Sequence, residues 1–234
     1  MQNKVVEFSD LGLIPYKQAW DYQMQLFQGI IDLKLRNRDL PESEHQLTSN
    51  HLLFCEHPPV YTLGKTGMLE NLLLNNEKLK EKNIEFFHIN RGGDITFHGP
   101  GQLTGYPIFD LDNFDTDIIK FMRMMEDAII QVIAEYGLKG GRIEGLTGVW
   151  LDADNPAKAR KICAMGVHTS RWVTMHGFGL NIHTDMSYFN YIVPCGIEDK
   201  SVTSMEKELG PVNKEEVKLI VREKFAQVFG FNWK

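Results

Sequence analysis

Arg91 to Leu111 reads RGGDITFHGPGQLTGYPIFDL, and this stretch decides what kind of fold the chain can adopt. Five glycines (Gly92, Gly93, Gly99, Gly101, Gly105) and two prolines (Pro100, Pro107) fall within its 21 residues. That density implies a backbone shaped to approach something closely. A pair of hairpin turns would explain the glycines alone. It would not explain Arg91, Thr96, His98, Gln102 and Thr104, polar side chains for which a plain turn has little use. The stretch therefore reads as a binding element. It lacks GxGxxG in a strand–turn–helix setting. Leu63–Thr66, which ends like a Walker A loop, has Pro59 where that motif requires its first glycine. Neither match supports a nucleotide site.

Outward from this stretch, strands and helices mix without a regular βαβ repeat. Lys4–Phe8 reads as a short strand. Pro15–Arg38 reads as a helix, with Trp20, Met24, Phe27, Ile31 and Leu35 on one face. Leu40–Asn50 is a polar loop. His51–Cys55 is a buried strand ended by Pro58 and Pro59, with Val60–Leu63 as its expected continuation. Ile84–Ile89 is a strand feeding the Gly-rich stretch. A second helix is expected over Asp115–Tyr136, stopped by Gly137. Strands follow at Gly148–Leu151, Lys161–His168 and Val173–Ile182, and a last helix at Lys214–Phe229. No composition break marks a linker. These elements predict one α+β domain over residues 1–234, a mixed β-sheet flanked by helices, with a small C-terminal sub-lobe as a variant.

The 234 residues are 43% hydrophobic and 24% charged, a globular balance. A net charge of −6 argues against nucleic acid or an anionic membrane as general partners. Nothing approaches 18 consecutive apolar residues. MQNKVVEFSDLG has neither a signal-peptide h-region nor an Arg/Ser-rich transit pattern, so a bacterial cytoplasmic location is expected.

Three cysteines, Cys55, Cys163 and Cys195, form no CxxC pair, which disfavours a disulfide framework or a four-Cys zinc site. The histidines show no zinc-type spacing, so no metal or other cofactor is expected. Cys55 and Cys163 sit inside apolar runs, as small core residues do. Cys195, in YIVPCGIED, lies between Pro194 and Gly196 at a turn, where a thiol can be accessible. Lys161 opens KICAMGVH, and Ala164 and Gly166 clear that strand of bulk, as though another chain or a ligand lay against it.

These residues carry a family resemblance. The chain resembles the lipoyl(octanoyl) transferases, relatives of the biotin and lipoate ligases, from about Leu52 to Ser204. The matching motifs are RGGDITFHGPGQLTGYPI, Lys161-x-x-Ala164-x-Gly166, HGFGLN at His176–Asn181, and PCGI at Cys195 followed by Val202-Thr203-Ser204. The resemblance implies a biotin/lipoate ligase-like fold and the first step of endogenous protein lipoylation. Octanoyl-acyl carrier protein would be the donor. Lipoyl domains of 2-oxoacid dehydrogenase complexes and the glycine cleavage H protein would be the acceptors. It implies Cys195 as the thioester carrier and Lys161 as its activating partner. The acyl substrate would be bound by Arg91, Gly92, Gly93, Asp94, Ile95, Thr96, Phe97 and His98, with Ala164, Met165 and Gly166, and with Gly177, Phe178 and Gly179. Gly179 departs from the family, which more often has Ala there, and the missing methyl is expected to alter the pocket wall.

The chemistry is consistent with those roles. An ordinary Cys, with a pKa of about 8.5, is only about 3% thiolate at pH 7, and a cationic Lys nearby would raise that fraction. Thioester-for-thioester exchange followed by amide formation needs no ATP. Lys161 would then accept the proton of the attacking lysine, and the Gly196 amide is an oxyanion-donor candidate. Seven carbons beyond the carbonyl could supply roughly 5 kcal/mol before binding losses. Residues Lys139–His176 hold six basic residues against three acids, a local excess that suggests a docking patch for an acidic carrier. The competing readings are an ATP-dependent lipoate or biotin ligase, which would not need Cys195, and a non-catalytic acyl- or carrier-binding module.

Overall fold

A computed structural model describes residues 2–193 and 201–234. After β1 (Val5–Leu13), helix α1 (Tyr16–Arg38) starts behind Pro15. Its buried stripe is Tyr16, Ala19, Gln23, Phe27, Ile30 and Ile31. This corrects the face read from spacing, because Met24 is exposed and the stripe is rotated toward Ala19 and Gln23. The small Ala19 lets the helix approach the sheet, while Gln23 Oε1 accepts the backbone N–H of His176 at 3.0 Å.

Strand β2 (Asn50–Glu56) is followed by β3 (Val60–Leu63), which does not continue it. The Pro58-Pro59 break redirects the chain into a second sheet, since neither proline can donate to a ladder. After α2 (Asn76–Glu81) come β4 (Glu85–His88), parallel to β3, and β5 (Ile95–His98), antiparallel to it. β6 (Gln102–Ile108) then returns to the first sheet, so the Gly-rich stretch is the crossover between the two.

The large sheet is completed by elements on both sides of this crossover. Helix α3 (Ile118–Ala134) starts at Asp117, whose carboxylate accepts the N–H groups of Ile119 and Lys120 at 2.9 and 3.0 Å. It leads into β7 (Gly140–Ile143), β8 (Leu146–Leu151), β9 (Arg160–Ser170) and β10 (Val173–Asn181). The remaining elements are β11 (Ser201–Val202), α4 (Met205–Leu209), α5 (Lys214–Phe229) and β12 (Asn232–Trp233). Among the described residues the large sheet runs β12-β1-β2-β6-β10-β9-β8-β7, with β11 beside β9. The β12–β1, β1–β2 and β11–β9 pairings are parallel and the others antiparallel, giving the mixed sheet expected from the sequence.

Helices α3 and α5 cover one face of this sheet, where Met125, Ile129, Val132, Val221 and Phe225 close over Leu52, Phe54, Phe178 and Leu180. Helix α1 covers part of the other face, against Leu53, Ile108, Val173 and Met175. The three-stranded sheet, with its own aromatic core around Tyr61, Phe97 and Phe189, stands next to α1. Among the described residues no helix is long and apolar enough to cross a membrane.

Candidate active site

The loop that opens the crossover is clamped from both sides. Lys65 N donates to Arg91 O at 2.9 Å, Thr66 N to Gly93 O at 3.3 Å, and Gly92 N to Val167 O of β9 at 2.9 Å. The Arg91 guanidinium folds back on its own loop, donating to Gly92 O at 2.8 Å and Asp94 O at 2.6 Å. Gly93 has φ +90°, a conformation that side-chain-bearing residues rarely adopt.

Opposite this loop the sheet has been cleared of side chains. Register pairs Gly166 with Gly177 and Ala164 with Gly179, and directly paired residues share a face. A Cβ on Gly166 would stand 2.8 Å from Gly92 O, and one on Gly177 would stand 2.2 Å from Gly105 O. Part of the small-residue pattern thus accommodates this chain's own Arg91–Gly92 segment. His176, beside these glycines in β10, has φ +62°, in the left-handed region.

The result is a cavity of about 640 Å³, the size of a small-molecule site. Residues 91–96, 164–166 and 177–179 line it, together with His98 and Lys161. Phe97 does not. Strand alternation sends its ring into the small sheet's core, stacked on Tyr188 with centroids 4.6 Å apart. Phe178 and Met165 pair with each other and line the cavity, while their side chains pack into the α3–α5 core.

Sequence reasoning missed Tyr16, Tyr106 and His176 as lining residues and His57 behind them. The signal for His57 was its place before Pro58-Pro59; Tyr16 was absorbed into a helix start. Hydrogen bonding assigns the imidazoles. The Gln102 amide donates to Phe97 O at 3.1 Å and Asn181 Oδ1 at 2.9 Å, so its Oε1 accepts from His98 Nδ1 at 2.7 Å. His57 Nδ1 donates to Ile14 O at 2.8 Å, and its Nε2 accepts from the Tyr106 hydroxyl at 2.7 Å. Burial pushes His98 down to about 3 and His57 to about 4, so both are neutral at pH 7.

Lys161 lines the cavity with its ammonium 4.6 Å from the Trp150 ring centroid, a cation–π distance. The chain after residue 200 runs alongside it. Val202 is in register with Lys161, and Thr203 N donates to Lys161 O at 2.9 Å. Asn181 Nδ2 donates to Thr203 O at 3.0 Å, and the Thr203 hydroxyl donates to Glu208 at 2.5 Å. Pro194, Cys195 and Gly196 lie outside the described residues. Just before them, Val193 N donates to Asn71 O at 2.9 Å. Cys55 and Cys163 are buried, and desolvation pushes both thiols up, so neither is a nucleophile at neutral pH.

The basic excess of residues 139–176 does not survive as a patch. Arg142 is paired with Glu126 at 2.7 Å and Asp127 at 2.5 Å. Arg160 makes a two-pronged contact to Glu208 at 2.7 and 2.6 Å and also pairs with Asp152. Glu126, Asp127 and Glu208 come from outside the segment and cancel its surplus, so the docking expectation built on charge count is withdrawn.

Residues 15–226 match the family model of the lipoyl protein ligase A/B catalytic domain. The chain is 62% identical to an octanoyltransferase of Cytophaga hutchinsonii over 88% of this chain and 85% of that protein. It is 56% identical to an octanoyltransferase of Flavobacterium johnsoniae over 97% of each. The fold is similar to a bipartite lipoate protein ligase of Thermoplasma acidophilum, with a TM-score of 0.69 at 16% identity, covering 100% of this chain and 86% of that one. A lipoate protein ligase from the same organism, solved with bound lipoic acid, gives a TM-score of 0.65 at 16% identity, covering 100% and 88%. At that identity the likeness speaks for the fold alone.

Proposed function

The chain belongs to the lipoyl protein ligase A/B catalytic-domain family, and from that premise we propose a two-step acyl transfer through Cys195 and Lys161 within a single catalytic unit. The reaction is octanoyl transfer in protein lipoylation, the activity carried by the names of relatives at 47–62% identity. An acyl donor and a lipoyl-domain acceptor are its two substrates.

The proposal goes further on the route. Octanoyl-acyl carrier protein is the donor. The Cys195 thiolate attacks the thioester carbonyl, the carrier sulfur leaves and takes its proton from the Lys161 ammonium, and an octanoyl-enzyme thioester remains beside a neutral Lys161. The amine of the acceptor lysine then attacks that carbonyl, an amide forms, the Cys195 thiolate departs, and the amine's proton passes to Lys161. The acyl chain lies in the cavity against the Ala164, Gly166, Gly177 and Gly179 floor, with residues 91–96 and His98 around it. Lipoyl domains of 2-oxoacid dehydrogenase complexes and the glycine cleavage H protein are the proposed acceptors, and the cytoplasm the proposed location.

The observation that carries this reading is the register of β11 on β9. Val202, seven residues beyond Cys195, is in register with Lys161 at the wall of the cavity, and Thr203 N donates to Lys161 O. Cys55 and Cys163 are sealed in the core, which leaves Cys195 as the candidate carrier. The test is intact-protein mass spectrometry after mixing with octanoyl-acyl carrier protein in the absence of ATP. The expected result is one octanoyl adduct, labile to hydroxylamine and absent from Cys195→Ala. Acceptor acylation with no adduct on the enzyme would overturn the thioester route.

A further inference from the structure

Among the described residues, the densest run of exposed apolar side chains stands at the mouth of the cavity. Within residues 68–73, Met68 is 58% exposed, Leu69 62% and Leu73 57%. Met68 also lines the cavity, so this run begins where the cavity opens to solvent. Three hydrogen bonds hold it there. Asn71 Nδ2 donates to Asp94 Oδ2 at 2.6 Å, tying the segment to the Gly-rich loop. Asn71 O accepts from Val193 N at 2.9 Å, and Leu73 N donates to Tyr191 O at 2.9 Å, tying it to the chain just ahead of Cys195. Leu72 and Leu74 point inward to the small sheet's core, whereas Leu69 and Leu73 belong to no core cluster among the described residues. Solvated leucines anchored at a cavity rim are an unusual use of a turn unless something covers them.

We propose that the Met68–Leu73 segment is the docking surface for the folded acceptor domain, the partner that brings the target lysine. The inference rests on the acyl-transfer reading above. The occupant follows from the reach of each substrate. A lysine amine stands only roughly 6 Å from its own Cα on a four-carbon stem. To reach an acyl carbonyl inside the mouth, the acceptor's backbone must come down onto the rim itself. A thioester delivered on a carrier's prosthetic arm is several times longer, so its carrier can sit away from the rim. Contact with rim leucines is therefore a requirement of the second half-reaction and not of the first.

The two half-reactions separate the outcomes. Leu69→Glu/Leu73→Glu is compared with the parent protein and with Leu219→Glu, a 61%-exposed leucine on α5. Three rates are measured: adduct formation from octanoyl-acyl carrier protein, release of the adduct by hydroxylamine, and transfer to an isolated lipoyl domain. The expected result is a rise of about tenfold or more in the KM for the lipoyl domain, equivalent to losing one interface anchor. Loading and hydroxylamine release stay within twofold, and Leu219→Glu behaves as the parent. A KM for the domain within twofold of the parent overturns the proposal. Slowed loading would assign the surface to the donor, and a changed oligomeric state would assign it to a second copy; either result also overturns it. If the parent forms no adduct, the thioester route has failed, yet the KM for direct transfer to the lipoyl domain still decides the docking surface.

Discussion

Phe178 and Gly179 are neighbours in β10 and face opposite worlds. On the Phe178 side, the ring meets Phe54 and Phe225 with centroids 6.3 and 5.2 Å away, inside a layer of Met, Ile, Val and Phe under α3 and α5. The buried charge there, Glu126, is engaged by Arg123, Arg142 and Gly148 N. On the Gly179 side, the side chains around Gly177 and Gly179 are absent or polar, and the apolar residues of that face, Leu53, Ile108, Val173 and Met175, gather under α1 instead. Gln102 bridges both sheets, two neutral histidines are fixed by their partners, and the Thr104 hydroxyl, which shares that face, has no partner among the described residues. One face supplies burial energy and tolerates interchange of apolar residues. The other holds fixed donors and acceptors around a space, at a cost in stability that the first face offsets.

The largest effects should come from the cavity face. Cys195→Ala is expected to abolish octanoyl transfer, and Lys161→Met to lower kcat by about a thousandfold, within the span of general acid–base contributions. Neither should shift the thermal midpoint by more than a few degrees. Steady-state transfer assays alongside thermal unfolding check the pair, and a Lys161→Met enzyme with near-parent kcat would break the division between the faces. The opposite signature belongs to Phe225→Ala. Emptying that site should cost about 3–5 kcal/mol. For a chain of this size that lowers Tm by about 6–20 °C, while kcat of the folded fraction at low temperature changes little.

Much of this division was readable beforehand, for identifiable reasons. A glycine required by close approach leaves its mark in the sequence whatever it approaches, so Gly92 and Gly166 stand out, whereas Gly177 is singled out only by the family resemblance. The alternation of a strand is also written in the residues, but which phase faces which layer is not. Phe97 therefore looked like part of the binding stretch until β5 was seen to turn its ring inward. Val60–Leu63 has strand composition, yet whether it extends β2 or starts a sheet depends on where the chain goes after Pro59, a tertiary decision. The α1 stripe slipped for a similar reason, because Ala19 and Gln23 carry little hydrophobic signal and still face the sheet. The basic excess failed most plainly. A count along the chain cannot see that Glu126 and Glu208 come back to pair with it.

Acid should act on the cavity face through its buried imidazoles. His57 and His98 have pKa values depressed by burial to about 4 and about 3, against about 6.5 in an unfolded chain. Below pH 6.5 the unfolded state takes up protons that the folded state refuses, so stability is full above that pH and declines as pH falls toward the folded values. From pH 6.5 to 5 the loss is about 2 kcal/mol for each imidazole. Thermal unfolding at the two pH values should show this decline, and His57→Gln should show a visibly shallower one. An equal slope in both proteins would mean that His57 is not the buried neutral group its hydrogen bonds indicate.

The smallest expected effect tests the floor itself. By family resemblance, the missing methyl at Gly179 was expected to matter for the pocket wall. The geometry directs that methyl elsewhere. A Cβ on Gly179 would lie 2.8 Å from Gln102 Oε1 and 3.0 Å from its Cδ, against the side chain that orients His98 and Asn181. Gln102 is buried and held by three hydrogen bonds, so it can yield by a few tenths of an ångström but not leave. Gly179→Ala should therefore cost about 1 kcal/mol through overpacking, at the low end of such insertions. It should leave the ratio of rates for octanoyl and decanoyl donors within twofold, because the added carbon presses on Gln102 and not on the acyl chain. Chain-length competition assays on the two proteins decide it. A selectivity change well beyond twofold would mean that the Gln102 bridge itself sets the depth of the cavity, and that the polar face positions the acyl chain as well as the reacting groups.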